Sequence, residues 1–165
     1  MEAQIAGLEA RMKEVFAPNP EVKLLMSLPG VGFILAVVIF SEVGDVGRFA
    51  SASHLGSYSG TAPRIRASGG KFHIGKLRSD VNRYLKWAFL EATNAISLNR
   101  RRWLRRHVSG LYEQVRSRRG HQTAVGAVAR HLAESTYWML KRGEEYREPK
   151  KRRDFVHEEI SALTS

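Results

Sequence analysis

Apolar residues recur along this chain three and four positions apart in several stretches, and that period predicts helices. In the first, Ile5, Leu8, Met12 and Val15 form a stripe while Glu2, Glu9, Arg11 and Lys13 take other faces. Two heptads suit the end of a longer coiled coil or a helix docked on a body. Pro18-Asn19-Pro20 stops it, because proline has no amide donor and restricts the residue before it. A second apolar run, 24–28, leads through Pro29-Gly30-Val31-Gly32 into a third, 33–40, with the small Ala36 at the expected crossing.

That arrangement resembles a helix-hairpin-helix. Gly30 and Gly32 allow a tight turn whose amides face outwards at the mouth of the next helix, where an anion such as a DNA phosphate is favoured. An αα-corner with no ligand fits the same residues, since apolar Phe33-Ile34 stands where a basic residue usually follows such a hairpin.

Further on, Ser51 or Ser53 can cap a short helix carrying Leu55 and Tyr58, which Gly60 ends. From 61 to 76 the helical period is lost. Arg64-Ile65-Arg66 and Lys71-Phe72-His73-Ile74 alternate around Ser68-Gly69-Gly70, as a small hairpin or an extended flap would. Ser79 or Asp80 then caps the strongest helix, with Val81, Tyr84, Leu85, Ala88, Phe89, Ala92 and Ile96 on one stripe; Asn82, Arg83 and Lys86 lie off it, and Trp87 fits core or surface. RRRWLRR at 100–106 continues as a basic helix towards Leu111, Tyr112 and Val115, and Gly120 breaks the pattern. A last long helix turns Val125, Val128, Leu132, Thr136, Met139 and Leu140 inwards and carries His131 on its face, as a helix residue and not a ligand. From Gly143 the charges mix evenly around Pro149, a segment expected to fold only against a partner or to stay mobile. The fold class is mainly α: a helical domain with a helix-hairpin-helix-like element, a basic Gly/Ser loop or small hairpin, and an N-terminal coiled-coil remnant.

Charge sharpens this picture. Twenty-seven Lys and Arg against 16 Asp and Glu give the 165 residues a net charge of +11, with a pI near 10.4. Residues 64–130 hold 16 of the basic residues against Asp80, Glu91 and Glu113, so the flanks together are slightly acidic. Positive charge concentrated in the centre of a chain points to a polyanion, and nucleic acid is the expected partner. The expected contacts are Arg64, Arg66, Gly69, Gly70, Lys71, Lys76, Arg78 and Arg83 around Ser68, the turn glycines Gly30 and Gly32, and Arg101, Arg102 and Arg105 of the basic run. The absence of cysteine excludes disulfides, thiol catalysis and thiolate-held zinc, in keeping with a cytoplasmic protein. The apolar run 33–40 is far too short to cross a bilayer, so no membrane is expected.

The chain has no GxxxxGK[ST] phosphate loop, no His-Glu-x-x-His and no carboxylate pair near the basic centre. A self-contained Mg²⁺ nuclease is therefore disfavoured, and no cofactor is expected in this chain. A serine can attack a phosphodiester without a metal of its own where arginines stabilise the charge that develops, and Ser68 has them nearby in sequence. Ser-Gly-Gly also reads as a plain turn. A non-catalytic helix-hairpin-helix binding module remains the rival. A base-excision glycosylase is disfavoured because the hairpin lacks the lysine of its bifunctional members and Asp45 falls only 13 residues after Gly32.

Four blocks narrow the choice: LPGVG at 28–32, GRFASASHLGSYSGTAPRIRASGGK at 47–71, IGKLRSDVNRYLKWAFLEATNAI at 74–96, and GHQTAVGAVARHLAESTYWML at 120–140. In this order they resemble the C-terminal transposase domain of the IS-one-ten type, the DEDD insertion-sequence recombinases guided by a bridge RNA. The resemblance implies an N-terminal RuvC-like domain, outside this chain, joined through a coiled coil and holding Mg²⁺ on four acidic residues. It implies that Ser68 is the nucleophile forming a covalent phosphoserine link to DNA, that a structured guide RNA is a second partner, and that the chain alone binds without cleaving. His73 is the nearest candidate for the general base. The implied division is 1–18 as the end of a coiled-coil helix, suited to homo-oligomer formation, 20–146 as the transposase C-terminal DNA-binding and serine domain, and 147–165 as a charged tail.

Overall fold

In the computed structural model, residues 2–68, 71–77 and 81–149 are described, with residues 3, 63–68, 71–77 and 100 placed by their backbone alone. The chain is mainly helical. Helix α1 (Glu2–Phe16) stops at the Pro18-Asn19-Pro20 break, and Asn19 caps α2 (Pro20–Leu25). The Asn19 Oδ1 accepts from the Glu21 amide at 2.8 Å and the Val22 amide at 3.1 Å, while Pro20 fills a first-turn position where an N–H would have no partner. After the glycine turn, α3 (Phe33–Val43) runs to Gly44. A 3-10 turn (Val46–Arg48) follows, with Asp45 Oδ1 accepting from the Gly47 amide, and α4 (Ala52–Tyr58) is capped by Ser51.

Strands β1 (Pro63–Ser68) and β2 (Lys71–Leu77) pair antiparallel, so the alternation around Ser68 does mark a hairpin. The long helices α5 (Arg83–Leu98), α6 (His107–Arg119) and α7 (His121–Arg142) complete the body. Helix α7 packs against α2, α4, α5 and α6, and α5 packs against α3. Leu85, Phe89, Ala92 and Ile96 of α5 meet Leu132, Ala133 and Tyr137 of α7, with Leu25, Ile39 and Leu55, in one buried cluster. The Leu, Ile and Phe side chains among them, fully removed from water, each contribute about 1.5–3 kcal/mol.

Four expectations are corrected. Helix α5 is capped by Asn82, whose Oδ1 accepts from the Leu85 amide at 3.0 Å, and not by Ser79 or Asp80, which lie outside the described residues. Tyr84 is not on the buried stripe but 67% exposed, because it sits about 100° round the helix from Leu85. The basic run does not continue as an α-helix. It forms a 3-10 turn (Arg100–Trp103), and the chain then breaks at Arg105, the one non-glycine residue with positive φ (70°) among the described residues.

The fourth concerns 143–149, which docks on the body. The Tyr146 amide donates to Ser27 Oγ at 2.8 Å, and its hydroxyl lies 3.0 Å from His131 Nε2. Glu148 accepts from the His107 amide at 2.9 Å, supplying the α6 N-terminus with a carboxylate. Burial drives this strap's chemistry in two ways: it pushes the Tyr146 hydroxyl above its usual range, and together with the adjacent His107 it brings His131 down to about 4.

Candidate nucleic-acid interface

The hairpin leaves the body from a tightly bonded root. The Gly56 carbonyl accepts from the Thr61 and Ala62 amides and from the Ser59 and Thr61 hydroxyls, all at 3.0–3.2 Å. Ser59 and Thr61 are fully buried and also bond each other at 3.1 Å. Gly60, at φ +69°, closes the turn under Val81, where a Cβ would stand 2.4 Å from the valine side chain. The chain returning from β2 is fixed at the same place. Asn82 donates its amide to Tyr58 O at 3.0 Å and its Nδ2 to Glu42 Oε2 at 2.6 Å and Tyr58 Oη at 3.3 Å.

Arg48 completes the root. Its Nε and Nη2 donate to the Val43 and Glu42 carbonyls, each at 3.0 Å, and its guanidinium covers the Phe49 and Tyr58 rings at 4.5 and 4.7 Å. Hydrogen bonds from Asn82 and Arg48 lower the Tyr58 hydroxyl below its ordinary value. Both ends of the arm are therefore held by one polar cluster on α3, α4 and the α5 cap.

Along the arm, Ser68 pairs with Lys71 and Arg66 with His73, while a register shift lies between Pro63 and Ile65, at Arg64. With a rise of about 3.3 Å per residue, the Ser68 end stands roughly 17 Å from the root. Lys76 belongs to β2, and Arg83 is the exposed first residue of α5, beside the root. Gly69, Gly70 and Arg78 lie outside the described residues.

The second basic group is the α5–α6 loop. Trp103, half-buried, anchors it to the core. The Arg102 and Arg106 guanidiniums lie 5.7 and 5.4 Å from its ring centre, within cation–π range. Arg101, Arg102 and Arg105 are all exposed, and Arg106 meets Glu148 at 3.6 Å. Among the described residues no group of His, Asp and Glu converges as metal ligands do, and no helix is long and apolar enough to cross a membrane.

The two turn glycines differ. Gly30 has φ +77°, and a Cβ there would stand 2.2 Å from the Ala92 carbonyl oxygen, so it is where the turn presses against α5. Gly32 is exposed, extended at φ −94°, and has nothing within 4 Å of a Cβ; it opens α3. The packing role of Gly30 had no local signal, since Ala92 is 62 residues away. Asn82, Tyr58 and Arg48 were likewise missed, because their roles arise from contacts among α3, α4 and α5.

The Transposase IS116/IS110/IS902 family matches residues 22–109, a span from α2 through the hairpin and the arginine loop to the start of α6. The 43.6 kDa uncharacterised protein of insertion element IS110 from Streptomyces coelicolor is 33% identical over 147 residues, covering 87% of this chain and 34% of that protein. The transposase for insertion sequence element IS1111A from Coxiella burnetii is 27% identical over 150 residues, covering 87% of this chain and 39% of the relative. The pilin gene-inverting protein of Moraxella bovis is 40% identical over 55 residues, covering 33% of this chain and 17% of that protein. The chain spans about a third of the length of the curated relatives it matches.

Proposed function

The chain belongs to the Transposase IS116/IS110/IS902 family, and from that premise we propose that it is the part of a transposase that grips DNA and presents Ser68 as the nucleophile for strand cleavage and exchange. The observation that carries this reading is the hairpin: Ser68 and its partner Lys71 flank the Gly69-Gly70 pair at the far end of an arm whose two ends share one bonded root. A hydrogen-bonded root with paired strands leading away from it suits delivery of a hydroxyl to a backbone phosphate. The Ser68 oxygen attacks phosphorus, gives up its proton, and forms a serine phosphoester. The bond to one deoxyribose oxygen breaks, and that oxygen leaves with a proton. One phosphoester replaces another, so the linkage energy is kept for rejoining to a different strand.

Arg64, Arg66, Lys71, Lys76, Arg78 and Arg83 would neutralise the phosphate near the arm, and Arg101, Arg102 and Arg105 would hold the backbone further along. A structured guide RNA would use the same cationic surface. Mg²⁺ would be held by acidic residues of a RuvC-like domain outside this chain. The α1 stripe would pair with a second copy as a coiled coil, and a DNA substrate implies a cytoplasmic protein.

Two measurements test this. Duplex binding by the chain should weaken steeply with salt, the log–log slope falling by about 0.9 for each phosphate contact removed, so Arg101→Ala with Arg102→Ala should flatten it by roughly two. In the full-length transposase, Ser68→Ala should abolish the covalent protein–DNA adduct while leaving duplex affinity within about twofold. An adduct that survives Ser68→Ala would remove the serine from its role.

A second reading, a non-catalytic helix-hairpin-helix contact, is favoured by one feature: the open Gly32 at the mouth of α3. In that case Ser68→Ala would change neither adduct nor affinity, and crowding the turn with Gly32→Val would weaken duplex binding.

A further inference from the structure

Tyr84 and Trp87 stand one turn apart on α5, 67% and 46% exposed, with about 5–6 Å between Cβ atoms at that spacing. The other two exposed Tyr and Trp rings among the described residues are occupied. Tyr58 lies against Phe49 and Arg48, and Trp138 lies against Tyr137 and Arg142. Tyr84 and Trp87 have no ring or cation partner among the described residues. Aromatic residues are poorer helix formers than the Lys, Glu or Ala common on solvated faces, so nothing local to the helix favours them there.

Their surroundings choose the occupant. The stripe that they begin continues through Glu91, Asn94 and Leu98, about 21 Å along α5. It starts beside Arg83 and the hairpin root and ends at the loop bearing exposed Arg101, Arg102 and Arg105. Glu91 is its one acidic residue among those described. Cations at both ends with bare rings between them suit a ligand that is anionic along its backbone and flat in its side groups. A duplex hides its base faces, whereas an unpaired strand exposes them.

We infer that the outer face of α5 is a stacking platform for unpaired nucleotides, Tyr84 and Trp87 each receiving a base while Arg83 and the arginine loop hold the flanking phosphates. The inference rests on the proposed nucleic-acid function and narrows its substrate at this face to single-stranded segments.

The test uses the 165-residue chain and three labelled probes at fixed salt: a twelve-residue oligothymidylate, an abasic oligomer with the same phosphates, and a duplex. Tyr84→Ala with Trp87→Ala should weaken oligothymidylate binding by about tenfold per ring and leave the abasic and duplex affinities unchanged. Tyr84→Phe with Trp87→Phe should restore most of the loss. Both positions are exposed, so the melting temperature should not move. Oligothymidylate binding unchanged in the double alanine variant overturns the platform while leaving nucleic-acid binding intact. Equal losses on all three probes also overturn it, by making the face a general contact. Sedimentation decides the competing occupant: if the wild-type chain self-associates and the double variant is monomeric, the rings meet protein and the inference falls. Failure of the wild-type chain to bind any probe removes the functional reading along with it.

Discussion

Helices α1 and α5 both carry apolar residues at helical spacing, yet the fold treats them differently. On α5, Leu85, Ala88, Phe89, Ala92 and Ile96 are at most 1% exposed, closed in by α3 and α7. On α1, Ile5, Leu8 and Val15 stay 53%, 67% and 61% exposed, and only Met12 and Phe16 touch the core, Phe16 through an edge contact with Phe40 at 6.3 Å. Periodicity therefore reports a face that favours cover, and says nothing of whether the cover lies in the same chain. Whole turns of packed neighbours stabilise α5; Met12 and Phe16, near its C-terminal end, tether α1.

The sharpest way to expose that difference is to cut into α5. Phe89→Ala should cost about 3–5 kcal/mol, the transfer of a buried ring plus the cavity it leaves, measured by urea unfolding. Gly30→Ala, on the turn against α5, comes next. It puts a Cβ on the Ala92 carbonyl and an L side chain at φ +77°, for an expected cost of about 2–4 kcal/mol. Gly32→Ala, two residues on in open space, should change stability by less than about 0.5 kcal/mol. Equal costs at the two glycines would mean that the turn does not seat on α5 as described.

These pairs show what the sequence could and could not reveal. The helices α3, α5 and α7 and the Pro-Asn-Pro stop were legible because each depends on residues within one turn, and the same local signals narrowed the α4 cap to Ser51 or Ser53 and the segment about Ser68 to a hairpin or a flap, of which the fold takes Ser51 and the hairpin. The Asn82 cap was hidden behind the equally good Ser79 and Asp80. Tyr84 was misassigned because a stripe drawn by spacing has no sharp edge, and about 100° separates the buried Leu85 from an exposed neighbour. The root of the arm depends on Glu42 meeting Asn82 across 40 residues, which no local pattern encodes. The docked strap at 143–149 was missed for the same reason: Tyr146 finds Ser27 119 positions away.

That strap makes a pH prediction of intermediate size. His131 packs against the His107 ring at 4.8 Å and Tyr146, with Glu134, paired to Arg130, also acting on it. Its folded value near 4 lies below the usual 6.5, so between those values the unfolded chain binds more protons than the folded one. This contribution to stability is complete above about 6.5, falls as the pH drops from 6.5 towards 4, and changes no further below that. His131→Gln should flatten that part of a melting-temperature profile. A wild-type profile with no slope there attributable to His131 would mean that the ring is solvated and the strap undocked.

The smallest expected effect is also the one that most directly tests the comparison. Leu8→Ala removes a large apolar side chain from the middle of the α1 stripe, yet with two-thirds of the residue already in water it should change monomer stability by no more than about 0.5 kcal/mol. The same substitution on a stripe covered by a second copy would cost about 2–5 kcal/mol, and the loss would shrink on dilution, because that cover stabilises the helix only while the copy's concentration keeps the pair formed. Unfolding of wild type and Leu8→Ala at two protein concentrations a hundredfold apart separates the cases. Concentration-independent curves within 0.5 kcal/mol leave α1 as an open stripe in the isolated chain, whereas a cost that rises with concentration in the range where wild type associates identifies its cover as another copy.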